Sequence, residues 1–303
     1  MEGRVVRPLS RCTRLASLVA FVSIATGCAT TSGTTTTTLQ GVAFGAETFV
    51  AVGESGAILT SPDGQSWTEQ SSGVSFMLNA VTYGNNRFLV AGTGGMVLTS
   101  NDGQAWNAVP LLTAATLRGT SFGNDTFVTV GDSGTIATSN DAQSWILQQS
   151  GASAALHDVV YGNGLFVAVG DGGILLTSSD GGSWSSANTG TTEVLWAVRF
   201  GAGVYVVVGA GGLLGYSRDG QTWTVQSGTF PTMRGLVYAD GQFVGVGTGG
   251  TILTSSDGIS FTQRASPTTD DLYAVAFGSG VFAAVGVNGA IVTSTDGLTW
   301  SGS

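Results

Sequence analysis

Lysine is absent from this 303-residue chain, histidine occurs once, cysteine twice and proline five times. Charged residues make up 10% of it, far below the ~25% of an ordinary soluble protein. Each shortage excludes something. Two cysteines cannot make a disulfide framework, and a single histidine cannot by itself build a zinc centre. So little charge, with 42% hydrophobic and 9% aromatic residues, is the opposite of a disordered composition. Without a phosphate-binding lysine or the dinucleotide spacing, glycine-rich stretches such as Gly170-Asp-Gly-Gly read as turns. The glycines do not recur every third residue, so the chain is not collagen-like. Glycine itself is plentiful, at 48 residues, and stands among threonine, serine and valine. That mixture belongs to an all-β chain with many tight turns.

The first 27 residues read as an address. Arg4, Arg7, Arg11 and Arg14 form a basic segment, and Leu15 to Ala25 is an apolar run too short to span a bilayer comfortably. Ala25-Thr26-Gly27-Cys28 resembles a bacterial lipobox, although Ala25 stands where leucine is usual. The resemblance implies cleavage before Cys28, a diacylglycerol on its sulfur and, with Ala29 following, outer-membrane retention. The expected location is therefore the bacterial cell envelope, lipid-anchored, periplasmic or surface-exposed. Residues 28–38 are then the lipidated cysteine and a polar, threonine-rich tether. Several acyl chains on one residue give stable anchoring. Cleavage also removes Cys12, so no intramolecular disulfide can form. From residue 28 onward there are six arginines against fourteen aspartates and four glutamates, a formal charge of −12. Such a chain is a poor binder of nucleic acid, and a poor candidate for anionic lipid by charge alone.

The rest is one unit written seven times. Ser61-Pro-Asp63-Gly-Gln-Ser-Trp67 returns as the segments 100–106, 139–145, 178–184, 217–223, 255–261 and 294–300. The aspartates Asp63, Asp102, Asp141, Asp180, Asp219, Asp257 and Asp296 lie 39 residues apart, once 38. Twenty-four residues before each stands Leu39, Leu78, Leu117, Leu156, Leu195, Met233 or Leu272. Within the first unit, Leu39–Gly45 alternates and ends on glycine, Thr48–Gly53 is apolar on both faces, Gly56–Ser61 is a third strand and Trp67–Gln70 a fourth. Four strands in about 40 residues, with both faces buried, make a propeller blade. The spacing predicts a seven-bladed β-propeller of four-stranded antiparallel blades over residues 39–303.

The pattern Ser-x-Asp-Gly-x-x-Trp resembles the Asp-box, or bacterial neuraminidase repeat. The phrase Phe-Val-Ala-Val-Gly followed by Gly-x-Ile-Leu-Thr-Ser resembles the short-repeat propellers similar to photosystem II stability and assembly factors. In Asp-box families the motif lies on the outer rim, away from the ligand face, which implies a structural role for the seven aspartates. Aspartate bonds the amides of its own turn and glycine accepts positive φ there. Ala142 replaces the glycine in the third unit and Phe261 the tryptophan in the sixth, so these two blades are expected to be weaker. Trp300 is followed by only three residues. Either residues 32–38 complete the outer strand of the last blade, bringing the lipid close to the propeller, or that strand is frayed beside a free tether.

Function is sought where the repeats differ. After each leading Leu or Met come Gln40, Asn79, Arg118, His157, Trp196, Arg234 and Tyr273. This register holds the single histidine and the one tryptophan outside the repeated turn. The next position is small except at Asp158, and Arg199 interrupts a small or apolar set. The strand two–three turns bring Glu54, Thr93, Asp132, Asp171, Ala210, Thr248 and Val287. In propellers generally the first strand lines the channel and these turns share its mouth. Arg118, His157, Asp158, Trp196, Arg199, Arg234 and Tyr273 are the candidate ligand-binding residues, with Asp132 and Asp171 beside them. Mixed charges and aromatics suit a protein segment or a glycan.

Alternatives are thinner. A sialidase-like hydrolase would need converging arginines (Arg118, Arg199, Arg234), a tyrosine nucleophile such as Tyr273 or Tyr216 and an acid/base carboxylate. The family's N-terminal Arg-Ile-Pro type motif is absent, and no loop is long enough to wall a deep pocket. His157-Asp158 lacks a G-x-S-x-G elbow, and neighbours on a strand face opposite ways. Asp132, Asp158 and Asp171 could hold calcium only if they converged. The expectation is a monomeric binding or assembly module with no cofactor or metal, the partner a protein or glycan.

Overall fold

The computed structural model describes residues 37–110, 113–226, 228 and 230–302. The expected signal segment, Cys28 and all of the expected tether but Thr37 and Thr38 lie outside the described residues. The seven units fold as seven four-stranded antiparallel sheets, each built from one contiguous stretch of chain with its strands in sequence order. In the first blade the strands are Leu39–Gly45, Thr48–Gly53, Ile58–Ser61 and Thr68–Gln70. The first strands of successive blades pack side by side around a central channel, and that of the seventh blade, Leu272–Gly278, packs against that of the first. The chain is a seven-bladed β-propeller.

Chain direction places the turns. Strand one starts at the channel mouth and runs to the far face, where a two-residue turn reverses it. Both central residues of that turn have positive φ, or one is glycine: Ala46-Glu47, Asn85-Asn86, Asn124-Asp125, Asn163-Gly164. This is the hairpin geometry that matches strand twist. Strand two returns to the mouth and ends in a tight turn, Glu54–Gly56 in the first blade and Asp132–Gly134 in the third. Its first amide donates to the carbonyl just before strand one, as in Asp132 N–H to Thr116 O at 2.9 Å and Asp171 N–H to Ala155 O at 2.9 Å. Its last residue must be glycine. At Gly134 φ is +67° and a Cβ would stand 2.1 Å from the Ala152 carbonyl oxygen.

Second strands are buried on both faces, with Phe49, Phe88, Phe127, Phe166, Tyr205, Phe243 and Phe282 fully enclosed. Blades interlock at the far end of strand one. The aromatic ring of each blade sits where the preceding blade has a glycine: Tyr83 over Gly45, Phe122 over Gly84, Tyr161 over Gly123, Phe200 over Gly162, Tyr238 over Gly201. A Cβ there would lie about 2 Å from the ring. Blade six alone carries a methyl at this place, Ala239, packed beside Phe277. The seam between last and first blades is made the same way, with Phe44 over Gly278. Leu39, Val42 and Ala51 share one apolar cluster with Ala276, Ala283 and Val285. Face packing therefore closes the ring. The outer strand of the seventh blade is Ser301–Gly302, paired with Val292 and Thr293. Thr37 and Thr38 lead straight into strand one; residues 32–36 lie outside the described residues.

The repeated turn joins strands three and four on the face opposite the mouth. Asp63 Oδ1 accepts from the amides of Gln65 and Ser66 at 2.9 Å each and from the Ser61 hydroxyl at 3.0 Å. The Gly64 amide donates to Ser61 Oγ and the Trp67 indole to Gly64 O. The indole then leans on Phe49, with centroids 6.2 Å apart. Backbone amides hold all seven aspartates below the ordinary carboxylate range, Asp219 at about 2. In blade three Ala142 takes φ +56°, no amide-to-hydroxyl bond joins it to Ser139 among the described residues, and the buried Trp145 Nε1 has no partner. The physical basis of the weakness expected there is thus present. Phe261 keeps the ring contact with Phe243 at 6.5 Å but brings no indole N–H for Gly258.

Candidate functional site

The variable register owes its prominence to a backbone irregularity. In every blade the residue after the leading Leu or Met is an extra one: Leu117 pairs with Gly131 and Gly119 with Val130, leaving Arg118 unmatched. The same skip falls at Gln40, Asn79, His157, Trp196, Arg234 and Tyr273. A bulge frees one side chain from the pleat and re-aims it. Seven bulges in one register bring seven side chains to the channel lining, at its mouth. The following residue is small in every blade but the fourth, where it is Asp158, and neighbouring first strands nearly touch there. A Cβ on Gly119 would come 2.7 Å from the Asp158 Cα, and one on Gly235 2.7 Å from the Tyr273 carbonyl oxygen.

All seven sequence-nominated residues line this one cavity. Arg118 Nε donates to Asp132 Oδ1 at 2.5 Å. His157 Nε2 lies 2.7 Å from Asp171 Oδ1, the imidazole only 8% exposed and the carboxylate 48%. Burial pushes His157 below the ordinary histidine range, against the pull of Asp171. Burial thus disfavours the charged imidazole, and the Asp171 carboxylate is the half of the pair that faces solvent. Asp158, also nearly buried, bridges two blades. Its Oδ1 accepts from Val159 N–H at 2.9 Å, and its Oδ2 accepts from Val198 N–H at 3.0 Å and from Arg199 Nη1 at 2.5 Å. Arg199 also donates to the Val198 carbonyl at 2.6 Å. Asn79 Nδ2 donates to Leu117 O at 2.7 Å.

Trp196 stands at the centre of an aromatic stack. The His157 ring is 4.3 Å from it at 41°, and the Arg234 guanidinium carbon lies 4.0 Å from its centroid and 5.6 Å from that of Tyr273. Such contacts between a cation and ring faces gain about 0.5–2 kcal/mol. Among the described residues, neither the indole N–H of Trp196 nor Nε of Arg234 has a hydrogen-bond partner, though both atoms are buried.

The enclosed space is about 110 Å³, small against the ~300–1,000 Å³ of small-molecule pockets. The channel is thus filled by its own side chains and offers a mixed, shallow surface. A larger depression of about 630 Å³ lies outside it, beside the first blade's mouth turn, lined by Glu54, Glu69, Gln70, Ser72, Val74 and Phe76 among others; none of the seven bulge residues borders it.

The arrangement bears on the alternatives. Arg118 and Arg199 are each held by an aspartate, so the three arginines do not present a common carboxylate clamp. Tyr216 lies on a third strand, away from the channel, and Tyr83, Tyr161 and Tyr238 are the interlocking rings. Tyr205 is buried, its hydroxyl donating to Gly162 O, and burial raises it to about 12. Asp132, Asp158 and Asp171 each pair with a different side chain, Arg118, Arg199 and His157, and no group of three metal-ligating side chains occurs among the described residues.

The sequence did not reveal the bulge. Nor did it reveal that two bulge residues, Arg118 and His157, meet the turn residue fourteen places later. The constant offset from Arg118 to Asp132 and from His157 to Asp171 was the available signal.

No family model matches the chain, and no curated protein matches it either. Solved structures do. YCF48 bound to D1 peptide is 21% identical, covers 88% of this chain and 93% of its own, and superposes with a TM-score of 0.71. YCF48 from Cyanidioschyzon merolae is 19% identical over 86% of this chain and 95% of its own, with a TM-score of 0.67. The WD40 β-propeller domain of Doa1 is 13% identical over 88% and 96%, TM-score 0.71. At these identities the likeness establishes the seven-bladed propeller fold that the chain shares with them.

Proposed function

We propose that this protein is a lipid-anchored binding or assembly module of the bacterial envelope that docks a protein segment on its channel mouth. The observation that carries the reading is the register of seven bulges. The far-face turns repeat closely, yet at this register the fold presents Arg118, His157, Trp196, Arg234 and Tyr273 at the channel mouth. Arg and Trp dominate protein-binding hot spots, and mixed charge supplies specificity. The neighbour bound to D1 peptide supports the reading that a propeller of this build can take a protein segment. The Asp-box kinship and the anchor at Cys28 belong to the same proposal, the first supported by the turn's hydrogen bonds, the second by the residues before Cys28. A glycan is a weaker candidate, because His157 and Arg234 flank the indole against which a sugar would stack.

The test is affinity capture from detergent-solubilised native membranes with wild type beside the Arg118→Ala, Trp196→Ala, Arg234→Ala triple variant. A protein retained by the wild type and lost by the variant is the expected result. Equal retention by both refutes the mouth as a protein-docking face. Recovery of a Cys28→Ser variant in the soluble fraction tests the anchor.

A further inference from the structure

Arg118 and Arg234 occupy the same bulge position in blades three and six, yet their charges meet different fates. Fourteen residues after Arg118 the mouth turn supplies Asp132, which takes its Nε–H at 2.5 Å. Fourteen residues after Arg234 the turn supplies Thr248, whose hydroxyl is turned to the Thr232 carbonyl at 3.3 Å. The neighbouring turns of blades five and seven supply Ala210 and Val287. Among the described residues, Arg234 is the mouth cation with no carboxylate. It rests instead on Trp196 and Tyr273, and the two buried donors of this stack, Arg234 Nε–H and Trp196 Nε1–H, are both unsatisfied.

Two unmet donors beside an unneutralised cation call for a ligand that only accepts and carries negative charge. We propose that Arg234 and Trp196, stacked guanidinium over indole, form a receptor for a carboxylate of the docked protein segment. Neither donor is open to solvent, so binding requires a rearrangement of the stack that Arg234 forms with Trp196 and Tyr273. The carboxylate then accepts from the guanidinium and from the indole N–H. This assignment rests on the reading of the mouth as a protein-docking face and adds the chemistry that face selects.

The experiment uses the full chain in detergent micelles, labelled with 15N-tryptophan. Its seven indole signals can be separated, with that of Trp196 assigned by Trp196→Phe. Three short acetylated peptides are titrated: an oligoalanine with a free C-terminus, the same peptide amidated with one internal aspartate, and the amidated all-alanine form. The Trp196 indole signal is expected to move with the first, the second or both, and not with the third. The peptide acting at lower concentration identifies a terminal or a side-chain carboxylate as the source. Thr248→Asp gives Arg234 the partner its position lacks, and should raise the concentration needed roughly tenfold while leaving the other indoles in place. Arg234→Gln should abolish the response. No movement with any peptide, or equal movement with the neutral one, overturns the proposal, as does a response to N-acetylneuraminate alone. If the triple variant still loses its captured protein, the docking reading survives that failure; if capture persists in the variant, docking itself falls.

Discussion

Asp180 shows what one side chain contributes to this fold. Its Oδ1 takes two backbone amides at 2.8 Å each and the Ser178 hydroxyl at 3.0 Å, all within its own turn. Asp180→Ala is expected to cost about 1 kcal/mol, as the loss of a comparable side-chain cap does; an unchanged melting temperature would contradict this. Since the folded pKa values of these aspartates lie below the unfolded value near ~4, their contribution is complete above that pH. It is lost as pH falls from about 4 towards the folded values. Circular dichroism followed through acid should show stability level above that range and falling within it. The single histidine allows an equally direct reading. Burial lowers its folded pKa, so the His157 resonance should titrate below ~6.5, and a midpoint above that value would mean that Asp171 outweighs desolvation. Ala142→Gly should raise stability by about 1 kcal/mol, because relief of the left-handed alanine and a partner for the Trp145 indole exceed the loss of one buried methyl.

At the scale of elements, the strands and most turns were legible because a period of 39 shows every position seven times. Alternation gave the first strand and the double-faced apolar run gave the second. Those signals survive substitution, as when Tyr205 stands for phenylalanine. The turns between strands one and two are less regular in sequence than in shape. Ala46-Glu47 adopts φ +44° and +58° without a residue suited to either. Replacing the pair with Asn-Gly should stabilise the hairpin by about 1 kcal/mol, measured by chemical denaturation. The bulge was not legible, since an extra residue in a strand leaves no mark of its own in composition. Its consequence was. Variation at the register of Arg118, His157 and Trp196 pointed to the channel mouth before the pairing explained why those side chains reach it. Cross-blade partners such as Asp158 with Arg199 were illegible for another reason. They lie 41 residues apart, a distance fixed by the ring rather than by any local motif.

For the whole molecule, the ring requires every seam to hold, the one between blades seven and one included. Phe44 over Gly278 makes that seam as Phe200 over Gly162 makes an interior one. Phe44→Ala and Phe200→Ala should therefore each cost about 3 kcal/mol; a much smaller cost at Phe44 would mean that the terminal seam contributes little to closure. Closure also divides the molecule into two faces with different work. The far face carries seven nearly identical turns that stiffen the blades, while the mouth carries the seven residues that differ. The most direct measurement of that division is site-specific photocrosslinking in native membranes, with the photoreactive group at Asn79 on the mouth or at Gln104 on the turn face. The account predicts a protein adduct from position 79 and none from position 104. An adduct from position 104 alone would contradict it.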